Sequence, residues 1–139
     1  MSATVRVETE ASADDVAAVQ AGLREFNVRV FGDPNEVPVT IFLRDDAGAV
    51  VGGLQGHIKW RWLYVSKLWI ADSHRGKGHG FDLMNAAEDF GRSKNCIGSY
   101  LDTFEYQARP FYEKIGYEVF GTLDDYPPSY RQFFLSKRL

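Results

Sequence analysis

The sequence predicts one α/β domain built on a single mixed β-sheet. Its 139 residues, 45% apolar and 25% charged, are enough to form one hydrophobic core. Segments with helical periodicity alternate with strand-like segments, and tight turns join the early strands whereas helices join the later ones. Tight turns require antiparallel pairing, while strands joined through a helix pair in parallel or lie apart. We therefore expect a mixed sheet in a single domain over residues 1–139.

The predicted elements follow the order helix, three strands, helix, strand, helix and two strands. Apolar residues at helical spacing define the first helix, with Ser12 or Asp14 as its cap. The second helix begins where a glycine-rich loop stops. The third tolerates Pro110 in its first turn and ends at Gly116. The predicted helices are 13–30, 81–92 and 107–115, and the predicted strands are 39–44, 49–60, 61–70, 97–104, 117–121 and 129–135.

Composition excludes several classes of function. A net charge of −3 gives no general attraction for nucleic acid. No apolar run approaches the roughly 20 residues that span a bilayer, and no cluster of His, Asp and Glu suggests a metal site. Cys96 is the only cysteine, so we expect a small buried apolar group in a reducing compartment. The sequence thus predicts a cytoplasmic protein without metal, membrane or nucleic-acid partners.

A glycine-rich loop carries the clearest chemical signal. It reads Arg-Gly-Lys-Gly-His-Gly over residues 75–80, follows a predicted strand and opens a predicted helix. Glycines let backbone amides converge on one anion, and the start of the helix adds partial positive charge. The loop lacks the Gly-Lys-Ser/Thr ending of a nucleoside triphosphate site, and it does not follow a first strand as a dinucleotide fingerprint does. A flexible connection with solvated basic side chains is the alternative to a phosphate site.

Two ordered motifs resemble those of the GNAT N-acetyltransferase superfamily. Residues 68–80 resemble its acyl-CoA motif, and residues 108–117 (Ala-Arg-Pro-Phe-Tyr-Glu-Lys-Ile-Gly-Tyr) resemble its second motif at the expected separation. The resemblance implies a mostly antiparallel central sheet of six to seven strands flanked by helices on both faces. It also implies transfer of an acetyl group from acetyl-CoA to a primary amine, of a small molecule or a peptide, by direct attack in a ternary complex. Family analogy adds a possible homodimer.

The resemblance also implies how coenzyme A would be held. The strand at 61–70 would be splayed or bulged, and the pantetheine arm would insert beside it like a further strand. The backbone of Leu68 and Ile70 would bond the thioester carbonyl and the pantetheine amide, whereas Trp69 would face the core. In the family an asparagine often bonds the pantetheine, and Glu105 occupies its position here. Gln107 would then make this bond instead. The implied cofactor-binding residues are Leu68, Trp69, Ile70, Arg75, Gly76, Lys77, Gly78, His79, Gly80, Gln107, Phe111 and Lys114.

Catalytic candidates are fewer. Tyr112 matches the tyrosine that the family commonly uses to protonate the departing thiolate, although a packed aromatic is the alternative. A lysine-like amine costs about 4–5 kcal/mol to deprotonate at pH 7, yet the positions of the family's base hold Tyr64 and Ser66, neither an efficient base. This departure favours a water relay or an amine with a lowered pKa. Glu105 is a further candidate, either as the base or as the group that binds the amine. A solvated side chain at the end of a strand is the alternative.

A second function stays open on the sequence alone. The same loop would serve a non-catalytic acyl-CoA-binding or sensory module. In such a module the base would be missing because catalytic activity has been lost. Catalysis and binding alone differ in whether any amine releases thiol from acetyl-CoA.

Overall fold

The computed structural model describes residues 1–139, which form two compact units, Met1–Pro34 and Asn35–Leu139. The first unit contains helix α1, Ala13–Phe31. The Ser12 side chain accepts a hydrogen bond from the Asp15 amide at 3.1 Å, so Ser12 and not Asp14 is the cap. None of the helices combines the length and the apolar character needed to cross a membrane.

The second unit is a six-stranded sheet in the order β1-β2-β3-β4-β6-β5. The pair β3–β4 is parallel, because the connection between them passes through a helix, and the other neighbours are antiparallel. This confirms the predicted mixed sheet and the predicted order of elements. The strands are β1 Val37–Arg44, β2 Val50–Lys59, β3 Trp62–Ile70, β4 Gly98–Phe104, β5 Glu118–Asp124 and β6 Arg131–Arg138; the helices are a short 3₁₀ turn at Asp72–His74, α2 His79–Ser93 and α3 Arg109–Lys114.

The β3–β4 pair is short and ends in the middle of the sheet. Its register runs from Trp62 opposite Gly98 to Val65 opposite Leu101, and no pairing follows. Both strands continue, β3 to Ile70 and β4 to Phe104. The sheet is therefore split between its third and fourth strands over the second half of each.

A β-bulge marks the point where the split begins. Gln55 lies opposite Lys67 and Gly56 opposite Val65, so Ser66 is the extra residue of β3. The Ser66 hydroxyl donates to the Gln55 carbonyl at 3.0 Å, which fastens the bulge to β2. A Cβ at Gly56 would overlap the carbonyl of Tyr64, so the neighbouring strand leaves room for glycine alone. The bulged strand implied by the family resemblance is present, centred on Ser66.

The core of this unit includes one buried charged group. Glu88 of α2 is 2% exposed and accepts hydrogen bonds from the Tyr117 hydroxyl at 2.9 Å and the Lys137 ammonium at 2.8 Å. These contacts connect α2 with the start of β5 and with β6. A buried carboxylate is tolerated when such partners satisfy it, so this cluster fixes the helix against the sheet.

Two side chains test expectations about packing. Cys96 is buried, and burial raises the pKa of its thiol, which confirms a packing group and disfavours a nucleophile. The expectation that Trp69 belongs to the core is wrong, because its side chain is 52% exposed. Its neighbour across the β2–β3 pair is Gly53, which offers no side chain to pack against the indole.

The bulge gives a stability prediction. We expect Gly56→Ala to lower the free energy of unfolding by about 1–3 kcal/mol, because the added methyl group must push against backbone. Urea unfolding followed by circular dichroism measures the change. Gly22→Ala is the matched control, since a Cβ there meets nothing within 4 Å and helix α1 is expected to gain about 0.5–1 kcal/mol. Equal stability of the two variants would contradict a steric requirement at the bulge.

Candidate active site

A cavity of about 930 Å³ occupies the split between β3 and β4. Its walls come from the separated halves of both strands, the glycine loop, the start of α2 and one side of α3. The lining residues are Ser66, Lys67, Leu68, Trp69, Ile70, His74, Arg75, Gly76, Gly78, His79, Gly80, Phe81, Asp102, Thr103, Tyr106, Gln107, Ala108, Phe111 and Tyr112.

The glycine loop brings unpaired backbone amides to this cavity. Gly76 and Gly78 have φ angles of 74° and 82°, a left-handed conformation that glycine adopts without steric cost. Gly78 caps α2, and the first backbone hydrogen bond of the helix runs from the Asp82 amide to the Gly78 carbonyl at 3.1 Å. The preceding amides are thus free to bind an anion at the positive end of the helix dipole.

Arg75 connects the glycine loop to the end of β3. Its Nε donates to the Ile70 carbonyl at 2.9 Å, and its guanidinium forms an ion pair with Asp72 at 2.9 Å. The side chain lines the cavity while it holds the end of β3 to the loop. The Ile70 carbonyl, one of the predicted backbone contacts, already accepts this hydrogen bond.

The cavity collects most of the residues predicted to hold the cofactor. All but Lys77 and Lys114 line it, and these two are exposed. Arg92, a further basic residue of α2, pairs instead with Asp89 at 2.9 Å. Two of the expected basic residues are therefore absent from the lining, whereas two others, Lys67 and His74, are part of it.

Gln107 presents its amide nitrogen to the cavity. Its Oε1 accepts hydrogen bonds from the Phe104 amide at 2.8 Å and from the Thr103 hydroxyl at 3.1 Å. Because the oxygen is engaged, the NH₂ group is the part that can donate to a ligand.

Tyr112 is a protonated hydroxyl in an apolar setting. The residue lies on α3, is 7% exposed and lines the cavity. Burial, and secondarily the negative charge of Asp102, raises the pKa of Tyr112 to about 12. No buried side-chain oxygen of the structure lacks a partner. Because the Tyr112 hydroxyl has no hydrogen-bond partner in the protein, it is not fully buried and is open to the cavity.

The two other predicted catalytic residues lie outside the cavity lining. Tyr64 donates its hydroxyl proton to Asp102 at 2.6 Å, and burial and this bond raise its pKa to about 12. Glu105 is paired with Arg131, with contacts of 2.7 and 2.9 Å to one carboxylate oxygen. Ser66 lines the cavity but donates to the Gln55 carbonyl.

Asp102 is the site residue that sequence reasoning missed. It provides the only carboxylate of the lining, and it accepts hydrogen bonds from Tyr64 and from Gln132 Nε2 at 2.9 Å. A signal was present, because Asp102 is the only charged residue of β4. Its partners come from β3 and β6, which are distant in the chain, so only the folded sheet reveals the cluster.

Comparisons with known proteins identify the family of the chain. Residues 6–117 match the model of the Acetyltransferase (GNAT) family. The blasticidin-S acetyltransferase of Streptomyces morookaense is 39% identical over 107 residues, which cover 76% of this chain and 78% of that protein.

Two solved structures extend the comparison. A crystal structure from Agrobacterium tumefaciens, assigned as an acetyltransferase, has a TM-score of 0.91 and 31% identity, and the match covers 99% of this chain and 100% of that one. A protein of Bacillus anthracis, assigned as a streptothricin acetyltransferase and solved with acetyl coenzyme A, shares the fold with a TM-score of 0.66 at 19% identity, over 73% of this chain and 62% of that one. The family match, the curated relative and the glycine-loop cavity between β3 and β4 together show that the chain belongs to the acetyltransferase (GNAT) family.

Proposed function

We propose that the chain transfers an acetyl group from acetyl-CoA to a primary amine of a small molecule or a peptide. The observation that carries the proposal is that one cavity contains both the unpaired amides of the glycine loop and the open, protonated hydroxyl of Tyr112. The amides suit a pyrophosphate, and the hydroxyl suits a departing thiolate that needs a proton. A homodimer and a cytoplasmic location remain predictions.

The cavity has the size and the chemistry to hold coenzyme A. Its volume of about 930 Å³ lies within the range of ligand pockets. The unpaired halves of β3 and β4 offer backbone groups that a pantetheine arm can bond, and the amides from Gly76 to Gly80 would hold the pyrophosphate. Gln107 Nε2 is the further donor. Supporting this use, a protein of the same fold was solved with acetyl coenzyme A.

The thioester supplies an activated acetyl group when it is bound. In the balanced reaction a carbon–nitrogen bond forms, the carbon–sulfur bond breaks, the nitrogen loses a proton and the sulfur gains one. Donors near the carbonyl oxygen stabilise the charge that develops there. Tyr112 provides the proton for sulfur, since its raised pKa keeps the phenol protonated at neutral pH.

The side chains considered for removal of the amine proton have partners within the protein. The hydrogens of Tyr64 and Ser66 are engaged with Asp102 and with the Gln55 carbonyl, and Glu105 is neutralised by Arg131. Water that enters the cavity, or an acceptor amine with a lowered pKa, would therefore take the place of a side-chain base.

These engaged side chains also favour the second candidate, a module that binds acyl-CoA without catalysis. A panel of primary amines, with blasticidin S among them because a relative is named for it, separates the two functions. Thiol release from acetyl-CoA with any amine supports the transferase. Saturable acetyl-CoA binding without thiol release from any of them supports the module.

Replacing Tyr112 tests its role as the acid. We expect Tyr112→Phe to lower kcat about 100-fold while the Kd for acetyl-CoA changes little, because only the proton donor is lost. Thiol release gives kcat, and calorimetry gives Kd. Tyr130→Phe, which removes an exposed hydroxyl outside the cavity, is the control. An unchanged kcat in Tyr112→Phe would remove this residue from the mechanism.

The pH profile provides an independent test. An unshifted tyrosine is half ionised at pH 10, whereas Tyr112 with a pKa of about 12 stays protonated there. We expect kcat/KM to rise from pH 6 to pH 9 as the amine loses its proton, with no decline up to pH 10. Circular dichroism at each pH shows whether the chain stays folded. A descending limb below pH 10 in a folded enzyme would contradict the raised pKa of the acid.

The glycine loop is tested by a pair of substitutions with equal backbone strain. Gly78 and Gly48 have φ angles of 82° and 84°, and a Cβ at either meets nothing within 4 Å. Alanine should cost about 1–2 kcal/mol of stability at both positions. Only Gly78→Ala should also weaken coenzyme A binding, by about tenfold, because it shifts amides that face the cavity. Equal coenzyme A affinity in the two variants, measured by calorimetry, would contradict a phosphate site at the loop.

A further inference from the structure

Asp102 lies where the two central strands separate. The last β3–β4 pair joins Val65 to Leu101, so Asp102 is the first residue of β4 beyond it. Its side chain is half-buried and faces the cavity. The register therefore places one carboxylate at the beginning of the split, beside the space that the proposed thioester would occupy.

The charge of Asp102 is not compensated by any cation of the protein. Asp102 takes part in none of the six ion pairs of the structure. Its two oxygens accept hydrogen bonds only from neutral groups, Tyr64 Oη at 2.6 Å and Gln132 Nε2 at 2.9 Å. Among the cations of the lining, Lys67 is exposed and Arg75 is paired with Asp72. A half-buried carboxylate in this condition is a strong acceptor for an incoming cation.

Aromatic rings lie on the same side of the sheet as Asp102. The rings of Tyr64 and Tyr100 lie 4.8 Å apart between centroids, and His57 lies 5.4 Å from Tyr64. Alternation along β4 puts Tyr100 on the same side of the sheet as Asp102. Aromatic faces attract an ammonium group through their quadrupoles, and they add to the attraction of the carboxylate.

The geometry points to Asp102, held by Tyr64 and Gln132, as the binding site for the ammonium group of the acceptor. The inference rests on the proposed transferase function and specifies its substrate class as amines that arrive as cations. Asp102 is the specificity-determining group, because its oxygens contact the substrate. Tyr64 is a positioning residue, since its hydroxyl proton fixes one carboxylate oxygen.

Glu105 is the competing carboxylate, and the geometry disfavours it. Its charge is matched by Arg131, whose guanidinium also lies 5.1 Å from the ring centroid of Phe133. Glu105 does not line the cavity. An ammonium group would have to displace Arg131 before it could bind there, whereas nothing positively charged has to leave Asp102.

A binding experiment without turnover tests the site. The full chain at pH 7 is titrated with benzylamine, which is charged, and with benzyl alcohol, which is neutral and of similar shape, and chemical shifts are followed by NMR. We expect the wild type to bind benzylamine about tenfold more tightly than benzyl alcohol, and Asp102→Asn to remove this preference. Asparagine keeps an oxygen for the Tyr64 hydroxyl, and Gln132 can reverse its amide, so the fold should survive.

Controls separate this inference from the transferase proposal. Asp89→Asn makes the same chemical change on the exposed surface of α2 and should keep the preference for the charged ligand. Three results would overturn the inference. The wild type would show no preference for benzylamine, Asp102→Asn would keep the preference, or only Glu105→Gln would lose it. If the preference depends on Asp102 but no amine releases thiol from acetyl-CoA, the transferase function fails while the ammonium site stands.

Discussion

The short parallel pairing of β3 with β4 is the constraint on which the site depends. Only four residues of β3, Trp62 to Val65, pair with β4, where their partners are Gly98 to Leu101. The bulge at Ser66 redirects β3, and the glycine loop then carries the chain into α2. A fully paired sheet would bond its backbone groups to each other and leave no cavity. The split instead exposes them on both sides of a space that a ligand can fill.

The core around Glu88 lets this split exist in a stable structure. Tyr117 and Lys137 bond to the buried carboxylate, and α2 is thereby fixed to strands on the far side of the split. The two halves of the sheet are thus held together by a helix and by the four residue pairs of β3 and β4. Without such an attachment, separated strands would close or part further, since unpaired backbone groups cost free energy when water is excluded.

The site divides its chemistry between backbone and side chains. Backbone amides of the glycine loop face the cavity, and Tyr112 brings a phenol that remains protonated at neutral pH. Asp102 adds one uncompensated carboxylate at the point of separation. A binding site for an anion, a proton donor and a binding site for a cation would then lie along a single cavity. This arrangement suits a reaction between an acyl-CoA and an amine.

The sequence by itself determined the order of elements, the mixed sheet, the glycine loop and Tyr112, because periodicity and turn residues act over neighbouring positions. The tertiary structure decided which side chains meet. The fold pairs Tyr64 with Asp102 and Glu105 with Arg131, and it leaves Trp69, which was expected in the core, exposed beside Gly53. These outcomes depend on contacts between strands far apart in the chain, and local pattern carries no information about such contacts.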